Sequence, residues 1–588
     1  MINQSNLEKL QKLLKEKDID IFVINRSDEY LNEYISPNAE RLNFITNFSG
    51  SAGRAIITPT DAFLYVDGRY TFQANTQINA KEIQAKHLNN FWTDLEKILL
   101  EEEYKIALDP TLHSIVEIEK VEKMLENSTS QLQLIDKNFV DLIWENQPKT
   151  QYTDIFDHPR RFAGQGRLEK LDILKKFLDK NKIDHYFISG LDNIAWVLNL
   201  RADDIKYTPL LYSYLLISKN NKHSFYIKES AMPEILKKEI QTLININNIE
   251  NIGSIFNNIN AFESIGLDFN STTYYFLDLL KKKKINTKNL ANPCILLKAI
   301  KNETELDGAK KAHIRDGVSI TKYIYWLKNI MDPKSNDEIS VAHHLENLRR
   351  KNELFHSLSF DTISAIDKNA ALPHYRVTEE GKSSFSDNNI YLVDSGGQYF
   401  DGTTDITRTI ILGQATTEQK DRFTRVLKGH IALSNHVFDK GTKGTDIDYL
   451  ARKSLQEINL DYDHGTGHGI GSFLSVHEAP QRIAKKSMFD SVELLPGMIL
   501  SNEPGYYKEN EYGIRTENLV IINENANKKL YFETISWCPI DLDLIDSTLL
   551  NEIEKEWLNR YHSLVYENLE SLLGDEERNW LKKVTLKI

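Results

Sequence analysis

The stretch NIYLVDSGGQYFDGTTDITRTIIL, residues 389–412, predicts a β-hairpin in the second half of the chain. An apolar strand, a turn region with Gly-Gly and Asp-Gly, and a β-branched strand follow one another, as in an antiparallel pair. Asp394 and Asp405 lie eleven residues apart about the turn, so we expect them to oppose each other on one face. Like charges in that position destabilise a sheet, and a cation between them would remove the penalty.

A second stretch, MILSNEPGYYKENEYGIRTENLVII from Met498, has the same order of strand, polar turn and strand. Glu503 and Glu517 lie fourteen residues apart, symmetrically about Asn510. Both are embedded in apolar runs, which indicates partial burial. Buried carboxylates must be paired, protonated or bound to a metal.

Pairing with a basic neighbour such as Arg408 or Arg515 is the alternative to a metal, and for a single hairpin it is the better interpretation. Two hairpins of one architecture beside a histidine cluster favour a metal site instead. Four carboxylates and one imidazole suit two divalent ions a few ångströms apart, and carboxylate-rich ligation suits Mn(II).

The histidine cluster is HGTGHGIGSFLSVHEAP, which begins at His464 and contains His468 and His477. His464 and His468 have the spacing of a zinc-binding helix, but that motif needs Glu where Gly465 stands. The alternating glycines also oppose a helix, and they indicate backbone packed close to a ligand or another strand. Taken singly, each histidine could equally be a hydrogen-bonded or surface residue.

The composition is that of a water-soluble globular protein, with 588 residues, 41% apolar and 27% charged. A net charge of −13 argues against nucleic acid or an anionic membrane as partner, and the basic run KKKK at 281–284 is interpreted as solvated. Two cysteines exclude a disulfide framework. The amino terminus lacks an apolar signal core and no apolar run approaches about 20 residues, so we expect a cytoplasmic protein.

Two segments of the first half resemble each other. LEKLQKLLKEKDIDIFVI from Leu7 and LEKLDILKKFLDKNKIDHYFI from Leu168 each read as an amphipathic helix followed by a short apolar strand. We interpret them as a duplicated α/β domain, with two unrelated helix–strand units as the alternative. The predicted domains are 1–150, 151–302 and 303–588, and the last has a helical extension from about 540.

These stretches, with NFSGSAGRAIIT, YVDGRYTFQA, LDNIAWVLNLR, ISAIDKNAALPHY and EWLNRYH, resemble the creatinase/aminopeptidase ("pita-bread") metallopeptidases. Within them the chain is similar to the long, three-domain cytosolic aminopeptidase P family. The resemblance implies an α/β (α+β) fold of two creatinase-like amino-terminal domains and a pita-bread catalytic domain. It also implies a homodimer, and a metal-dependent aminopeptidase that releases the first residue of peptides with proline second.

The resemblance implies two divalent ions, Mn(II) by the family's preference, and five ligands for them: Asp394, Asp405, His468, Glu503 and Glu517. Asp405 and Glu517 would bridge the ions, Asp394 would complete one shell, and His468 with Glu503 would complete the other. A hydroxide bridging the metals would attack the substrate carbonyl, with Glu503 as general base.

Further roles follow from the same resemblance. His374 and His477 would steady the reacting carbonyl, His464 and Tyr507 would line the proline pocket, and Arg515 would orient Glu503 or Glu517. The resemblance implies a sixth substrate-binding residue, Arg69, in the first domain. Arg376 departs from the small residues typical after Pro-His-Tyr. The alternatives are a prolidase-type dipeptidase and a non-catalytic pita-bread module that binds peptides.

Overall fold

A computed structural model describes residues 5–486 and 492–588 and divides into two compact units. The first comprises Met1–Asp157, Gln165–Lys206 and Leu210–Cys294, and the second comprises His158–Gly164, Tyr207–Pro209 and Ile295–Ile588. The three predicted domain boundaries stay predictions. In the described ranges, no helix combines the length and apolar character needed to cross a membrane.

The first unit contains two six-stranded sheets with helices packed against them. The strands of its first part are β1 Ile21–Asn25, β2 Arg54–Ile57, β3 Ala62–Val66, β4 Gln84–His87, β5 Lys105–Leu108 and β6 Gln131–Leu134. The helices there are Asn6–Glu16, Arg41–Thr46, Thr71–Gln77, Phe91–Glu101, Ile115–Leu125 and Phe139–Ile143.

The second part of this unit repeats the pattern. Its strands are β7 Phe156–Asp157, β8 His185–Ile188, β9 Leu200–Arg201, β10 Tyr214–Ser218, β11 His223–Ile227, β12 Ile244–Asn248, β13 Ser264–Leu267 and β14 Asn286–Asn289. The helices are Arg167–Asn181, Leu191–Leu198, Glu234–Gln241 and Tyr274–Lys282, and Pro293–Ala299 leads into the second unit. β7 and β9 pair with each other apart from the main sheet.

Both sheets have one topology, which confirms the duplication. The strand orders are β4-β3-β2-β1-β5-β6 and β12-β11-β10-β8-β13-β14. The central strand of each sheet pairs antiparallel on one side and parallel on the other. The preceding helices bury leucines at matching spacings: Leu7, Leu10 and Leu14 in the first and Leu171, Leu174 and Leu178 in the second. Two unrelated units would not share strand order, direction and helix spacing, so that alternative is wrong.

The two copies meet through equivalent loops inside the first unit. The Ile115 amide donates to the Thr272 carbonyl at 3.0 Å, and the Tyr274 amide donates to the His113 carbonyl at 3.0 Å. Because each loop directly follows the parallel strand β5 or β13, the two hydrogen bonds are related by a pseudo-two-fold axis. The copies therefore pack as a symmetric pair within one chain.

The second unit is built from short antiparallel sheets and long helices. Its strands are β15 Phe355–Leu358, β16 Ile363–Ile366, β17 Asn389–Ser395, β18 Gly397–Tyr399, β19 Gly402–Thr403, β20 Ile406–Leu412, β21 Val437–Phe438, β22 Gly467–Gly469, β23 Glu478–Ile483, β24 Ile499–Asn502, β25 Gly505–Lys508, β26 Tyr512–Arg515, β27 Asn518–Glu524 and β28 Leu530–Thr534. The helices are Arg160–Ala163, Glu303–Asn329, Glu338–Arg349, Thr417–Ser434, Gly444–Gln456, Glu552–Leu569 and Asp575–Val584.

The sheets of this unit bring the predicted motifs together. β16, β17 and β20 form one sheet, β15, β18 and β19 form another, and β21-β28-β27-β24-β22-β23 form the largest. The long helix Glu303–Asn329 begins with a reciprocal capping box between Asn302 and Glu305. The carboxyl-terminal segment forms the two predicted helices, whose residues Leu558, Val565 and Leu581 are fully buried.

Candidate metal centre and active site

The first carboxylate pair lies where β17 and β20 pair antiparallel, which confirms the predicted hairpin. Asp394 faces Thr407 across the strand pair. Asp405 lies just before β20, two residues before Thr407, and therefore on the same face as Thr407. The expectation that the aspartates directly oppose each other is therefore wrong. The strand register is centred between Phe400 and Asp401, one residue after the midpoint of Asp394 and Asp405. The residue that pairs with Asp394 is therefore Thr407, two positions after Asp405.

The second carboxylate pair has the predicted symmetry. Asn502 of β24 faces Asn518 of β27, and β25 and β26 continue the same register to the turn. Glu503 and Glu517 are the next residues inward, so they fall opposite each other. The turn is centred on Asn510, whose φ of +60° is a left-handed conformation that Asn tolerates.

His468 lies at the centre of β22, and the zinc-helix interpretation is excluded. The Nδ1 of His468 lies 3.0 Å from the Gly469 carbonyl, which fixes the proton there and leaves Nε2 as a lone-pair donor. This Nε2 is 3.6 Å from Asp405 Oδ2 and 3.4 Å from Glu503 Oε1. A Cβ at Gly467 would lie 2.0 Å from a backbone oxygen of β24, so the predicted close strand approach is also confirmed.

These residues fit a metal by an observation independent of the sequence pattern. Asp405, His468 and Glu517 each offer a ligand atom, and the three atoms lie within 4.8 Å of one another. Within this cluster, three buried carboxylate oxygens accept no hydrogen bond from the described residues: Asp394 Oδ1, Asp405 Oδ1 and Glu517 Oε1. A buried anionic oxygen without a partner is costly, and a cation would satisfy all three.

The electrostatics of the cluster agree with this fit. Burial and the neighbouring carboxylates raise the pKa of Asp405 and of Glu517 well above their ordinary values. Burial raises the pKa of Glu503 to about 7, with Asp394 adding to the shift. Divalent cations would reverse these shifts, because they favour the ionised carboxylates.

Arg515 is the cation that contacts the cluster directly. Its Nη2 donates to Asp394 Oδ2 at 2.6 Å, and its Nη1 donates to the Tyr507 hydroxyl at 2.6 Å. The direct carboxylate partner of Arg515 is Asp394, and the arginine reaches Glu517 only through the Thr407 hydroxyl. Its predicted role in orienting Glu503 or Glu517 stays a prediction. The β17–β20 register decides this, because it turns Asp394 towards the β25–β26 hairpin that carries Arg515.

The predicted pocket residues His464 and Tyr507 are adjacent. The Tyr507 hydroxyl lies 2.9 Å from His464 Nε2, and the rings meet edge to face with centroids 5.4 Å apart. Together with the Arg515 contact, this makes a continuous hydrogen-bonded chain from Asp394 to His464.

His374 and His477 are both half-buried. The His477 and His468 rings are 4.3 Å apart between centroids, and His477 acts electrostatically to lower the pKa of Glu503. His374 follows Pro373, whose carbonyl accepts a hydrogen bond from Arg515 Nη1 at 3.2 Å. Both imidazoles therefore lie on elements bound to the carboxylate cluster.

The two remaining residues singled out in the sequence are Arg69 and Arg376. Arg69 belongs to the first unit, where its Nη2 donates to Asp67 Oδ2 at 2.7 Å, and its substrate contact stays a prediction. Arg376 forms a half-exposed ion pair with Asp361 at 3.0 Å. The side chain that departs from the family pattern is thus engaged with a surface carboxylate.

Sequence reasoning missed two hydroxyl residues of the site. Thr407 Oγ1 donates to Glu517 Oε2 at 2.7 Å and accepts from Arg515 Nε at 3.1 Å. Ser501 Oγ donates to Glu503 Oε1 at 3.1 Å. Each lies two residues from a carboxylate on the same strand face, so the two-residue period of β-structure is a signal that could have found them.

Family models match the chain in consecutive segments. The metallopeptidase family M24 model matches residues 307–524, and the model for its C-terminal region matches residues 528–588. The Creatinase/Prolidase N-terminal domain is matched twice, at residues 6–137 and 146–305. The second match covers the repeated sheet of the first unit.

Relatives named "Probable Xaa-Pro aminopeptidase P" align over nearly the full length. The protein from Paracoccidioides brasiliensis (strain Pb03) is 36% identical, and the one from Sordaria macrospora is 38% identical. In both cases the match covers 98% of this chain and 98% of the relative.

The solved structures separate a full-length relative from shorter ones. The X-prolyl aminopeptidase of Caenorhabditis elegans, described as a cytosolic enzyme with a di-nuclear active site, is 30% identical. It covers 99% of each chain with a TM-score of 0.94. The prolidase of Pyrococcus horikoshii is 25% identical with a TM-score of 0.51, and it covers 64% of this chain. The chain therefore belongs to the M24 metallopeptidases, in the family of the Xaa-Pro aminopeptidases P.

Proposed function

We propose that this protein is a metal-dependent aminopeptidase that releases the first residue of peptides whose second residue is proline. The observation that carries the proposal is the convergence of Asp405, His468 and Glu517 around partnerless carboxylate oxygens. The full-length similarity to an X-prolyl aminopeptidase supports the substrate class.

The cofactor we propose is a pair of divalent ions, of which Mn(II) suits the oxygen-rich ligand set best. Asp394, Asp405, Glu503 and Glu517 would hold these ions through carboxylate oxygens, and His468 would do so through Nε2. When bound, such ions lower the pKa of a water and polarise the substrate carbonyl. The C. elegans relative supports the count of two, since its active site is described as di-nuclear.

Glu503 is the proposed general base. Its pKa of about 7 in the protein without metal reflects burial, and bound cations would lower that value and keep the carboxylate ready to accept a proton. Glu503 takes the proton of the attacking water and later delivers it to the proline nitrogen, as the peptide C–N bond breaks. The free amino acid and the shortened peptide leave with one water consumed.

His374 and His477 are proposed to hold the substrate carbonyl oxygen as charge develops on it. Each can donate a hydrogen bond from a ring N–H, and the partial burial of both strengthens such bonds. His477 is the better supported of the two, because its ring packs edge to face against that of His468.

The chain from His464 through Tyr507 to Arg515 is the proposed wall of the proline pocket. A peptide bond to proline has no N–H and the ring fixes φ, so a site that relies on that N–H cannot hold it. A shaped wall of one imidazole and one phenol, held by a buried guanidinium, recognises the ring instead.

The remaining parts of the proposal are a cytoplasmic location and a homodimer that acts on free peptides. The description of the C. elegans relative as cytosolic supports the location. A prolidase-type dipeptidase is disfavoured, because the P. horikoshii prolidase covers only 64% of the chain. A non-catalytic module is disfavoured because all five ligand positions keep their residue types.

One assay separates these functions. Mn(II)-loaded protein is incubated with Arg-Pro-Pro, Arg-Ala-Ala, the dipeptide Ala-Pro and Arg-Pro-Pro with an acetylated amino terminus. Arginine release from unmodified Arg-Pro-Pro alone supports the aminopeptidase. Cleavage of Ala-Pro alone would identify a dipeptidase, and no cleavage with Mn(II), Zn(II) or Co(II) would point to the binding module.

A further inference from the structure

Arg408 is a buried arginine that the proposed reaction does not use. It is 2% exposed, lies on β20, and points to the face opposite Asp405 and Thr407. Its five guanidinium N–H groups lie within hydrogen-bond distance of six neutral oxygens and of no carboxylate oxygen among the described residues. The six oxygens belong to Thr407, Glu517, Asn518, Cys538, Pro539 and Tyr561. A buried charge with this many neutral acceptors acts as a rigid multiple donor.

Two of these bonds join the hairpins that carry the ligands. Arg408 Nη1 donates to the Thr407 carbonyl at 2.8 Å and to the Glu517 carbonyl at 2.6 Å. The Glu517 amide also donates to the Thr407 carbonyl at 3.2 Å. The backbone of Glu517 is therefore tied on both sides to the strand that begins directly after Asp405.

The carboxyl-terminal extension supplies the other end of the connection. Tyr561, on the helix Glu552–Leu569, accepts from Arg408 Nη2 at 2.7 Å, and its hydroxyl lies 2.9 Å from the Cys538 carbonyl. Asn518, next to Glu517, accepts from the same Nη2 at 2.8 Å. The phenol thus fixes the guanidinium plane from the side away from the carboxylates.

We propose that Arg408 and Tyr561 are positioning residues that set the separation of Asp405 and Glu517 for metal binding. The two carboxylates repel each other in a buried site, so their backbones must be held together before the ions bind. Ligands held within about half an ångström of the right geometry need no rearrangement on binding. The carboxyl-terminal helix Glu552–Leu569 accordingly acts on the metal centre through Tyr561.

This inference rests on the proposed role of Asp405 and Glu517 as metal ligands. The test uses the full-length protein, depleted of metal by a chelator and titrated with MnCl2 in a calorimeter. The variants are Tyr561→Phe, which removes one hydroxyl, and Arg408→Lys, which keeps the charge and removes the planar fork. The matched control is Tyr566→Phe, on the same helix, whose hydroxyl is bonded to Glu570.

Substitution of a residue that hydrogen-bonds a metal ligand typically weakens metal binding about 10–100-fold. We expect a loss of Mn(II) affinity of that size in Tyr561→Phe and in Arg408→Lys, and the wild-type affinity in Tyr566→Phe. The thermal unfolding midpoint without metal is measured in parallel, since a merely structural role would lower that midpoint and leave the Mn(II) affinity intact. That result in Tyr561→Phe would overturn the inference, and it decides the matter even if Arg408→Lys does not fold. Wild-type protein that binds no Mn(II) would overturn the proposed metal centre as well.

Discussion

Replacing Glu503 with Gln tests the proposed base and the electrostatics of the site together. The change keeps the size of the side chain and removes its charge and its proton-accepting oxygen. The backbone contact is untouched, because the Glu503 amide donates to the Thr466 carbonyl at 2.8 Å. We therefore expect a folded protein with altered chemistry.

The kinetic effect follows from the role of a general base. Such a group contributes about 10²–10⁴-fold to the rate, and each factor of ten corresponds to about 1.4 kcal/mol, so we expect the barrier to rise by about 3–5 kcal/mol. Since Glu503 is also a proposed ligand, the rate is compared at saturating Mn(II), where both forms hold metal.

In the metal-free protein, Glu503→Gln should increase the free energy of unfolding, although it lowers the catalytic rate. Burial raises the pKa of Glu503 from 4.5 to about 7, so above pH 4.5 the unfolded chain releases a proton that the folded protein holds. This penalty is absent below that pH, grows as the pH rises, and reaches about 3 kcal/mol at pH 7. Glu503→Gln should recover up to that amount at pH 7 and little at pH 4.

The assay is arginine release from Arg-Pro-Pro, combined with urea unfolding in chelator at both pH values. Glu511→Gln is the matched control, because Glu511 is exposed near the tip of the same strand pair. Full turnover in metal-saturated Glu503→Gln would refute its role as base. A metal-free variant less stable than wild type at pH 7 would refute the reasoning from burial.

Three further regions offer predictions. Asp316→Asn leaves the fully buried Arg349 without its counter-charge, and we expect a loss of about 3–5 kcal/mol in urea unfolding, so an unchanged midpoint would contradict the burial argument. Burial raises the pKa of Asp316, but Arg349 and the hydrogen bonds to the carboxylate outweigh it and hold that pKa below its ordinary value. This stabilisation is therefore present above about pH 3.9 and is lost as the pH falls through the lower folded pKa, so the Tm difference between wild type and Asp316→Asn should narrow at acid pH; a constant difference would refute it. Chelation should lower the Tm, and Mn(II) at 100 times its Kd should restore about 2.7 kcal/mol, whereas an unaffected Tm would argue against the site. Tyr507→Phe removes the hydrogen bond to His464. Such a bond contributes about 1.4 kcal/mol, which corresponds to an about tenfold lower kcat/KM for Arg-Pro-Pro, and an unchanged kcat/KM would exclude Tyr507 from the pocket.

The strand patterns were a reliable guide to faces and a poorer guide to register. Alternation placed Asp394 and Asp405 on one face, as the structure has them, but their partners differ by two residues from the expected pairing. The predicted opposition of Glu503 and Glu517 agrees with the structure, because the β24–β27 and β25–β26 pairs share one register centred on Asn510, the midpoint of the two glutamates. In the first hairpin, β18 and β19 pair within the turn region, and no local signal reports where that register is centred.

The sequence by itself determined the duplicated α/β domain, the two hairpins and the residue types that could bind metal. These depend on periodicity, turn residues and glycine positions, which act over a few neighbouring residues. Only the tertiary structure decided that Arg515 serves Asp394 and that Arg408 joins Glu517 to Tyr561. Those contacts link residues that lie 121, 109 and 153 positions apart in the chain, and a local pattern specifies the face of a residue but not its distant partner.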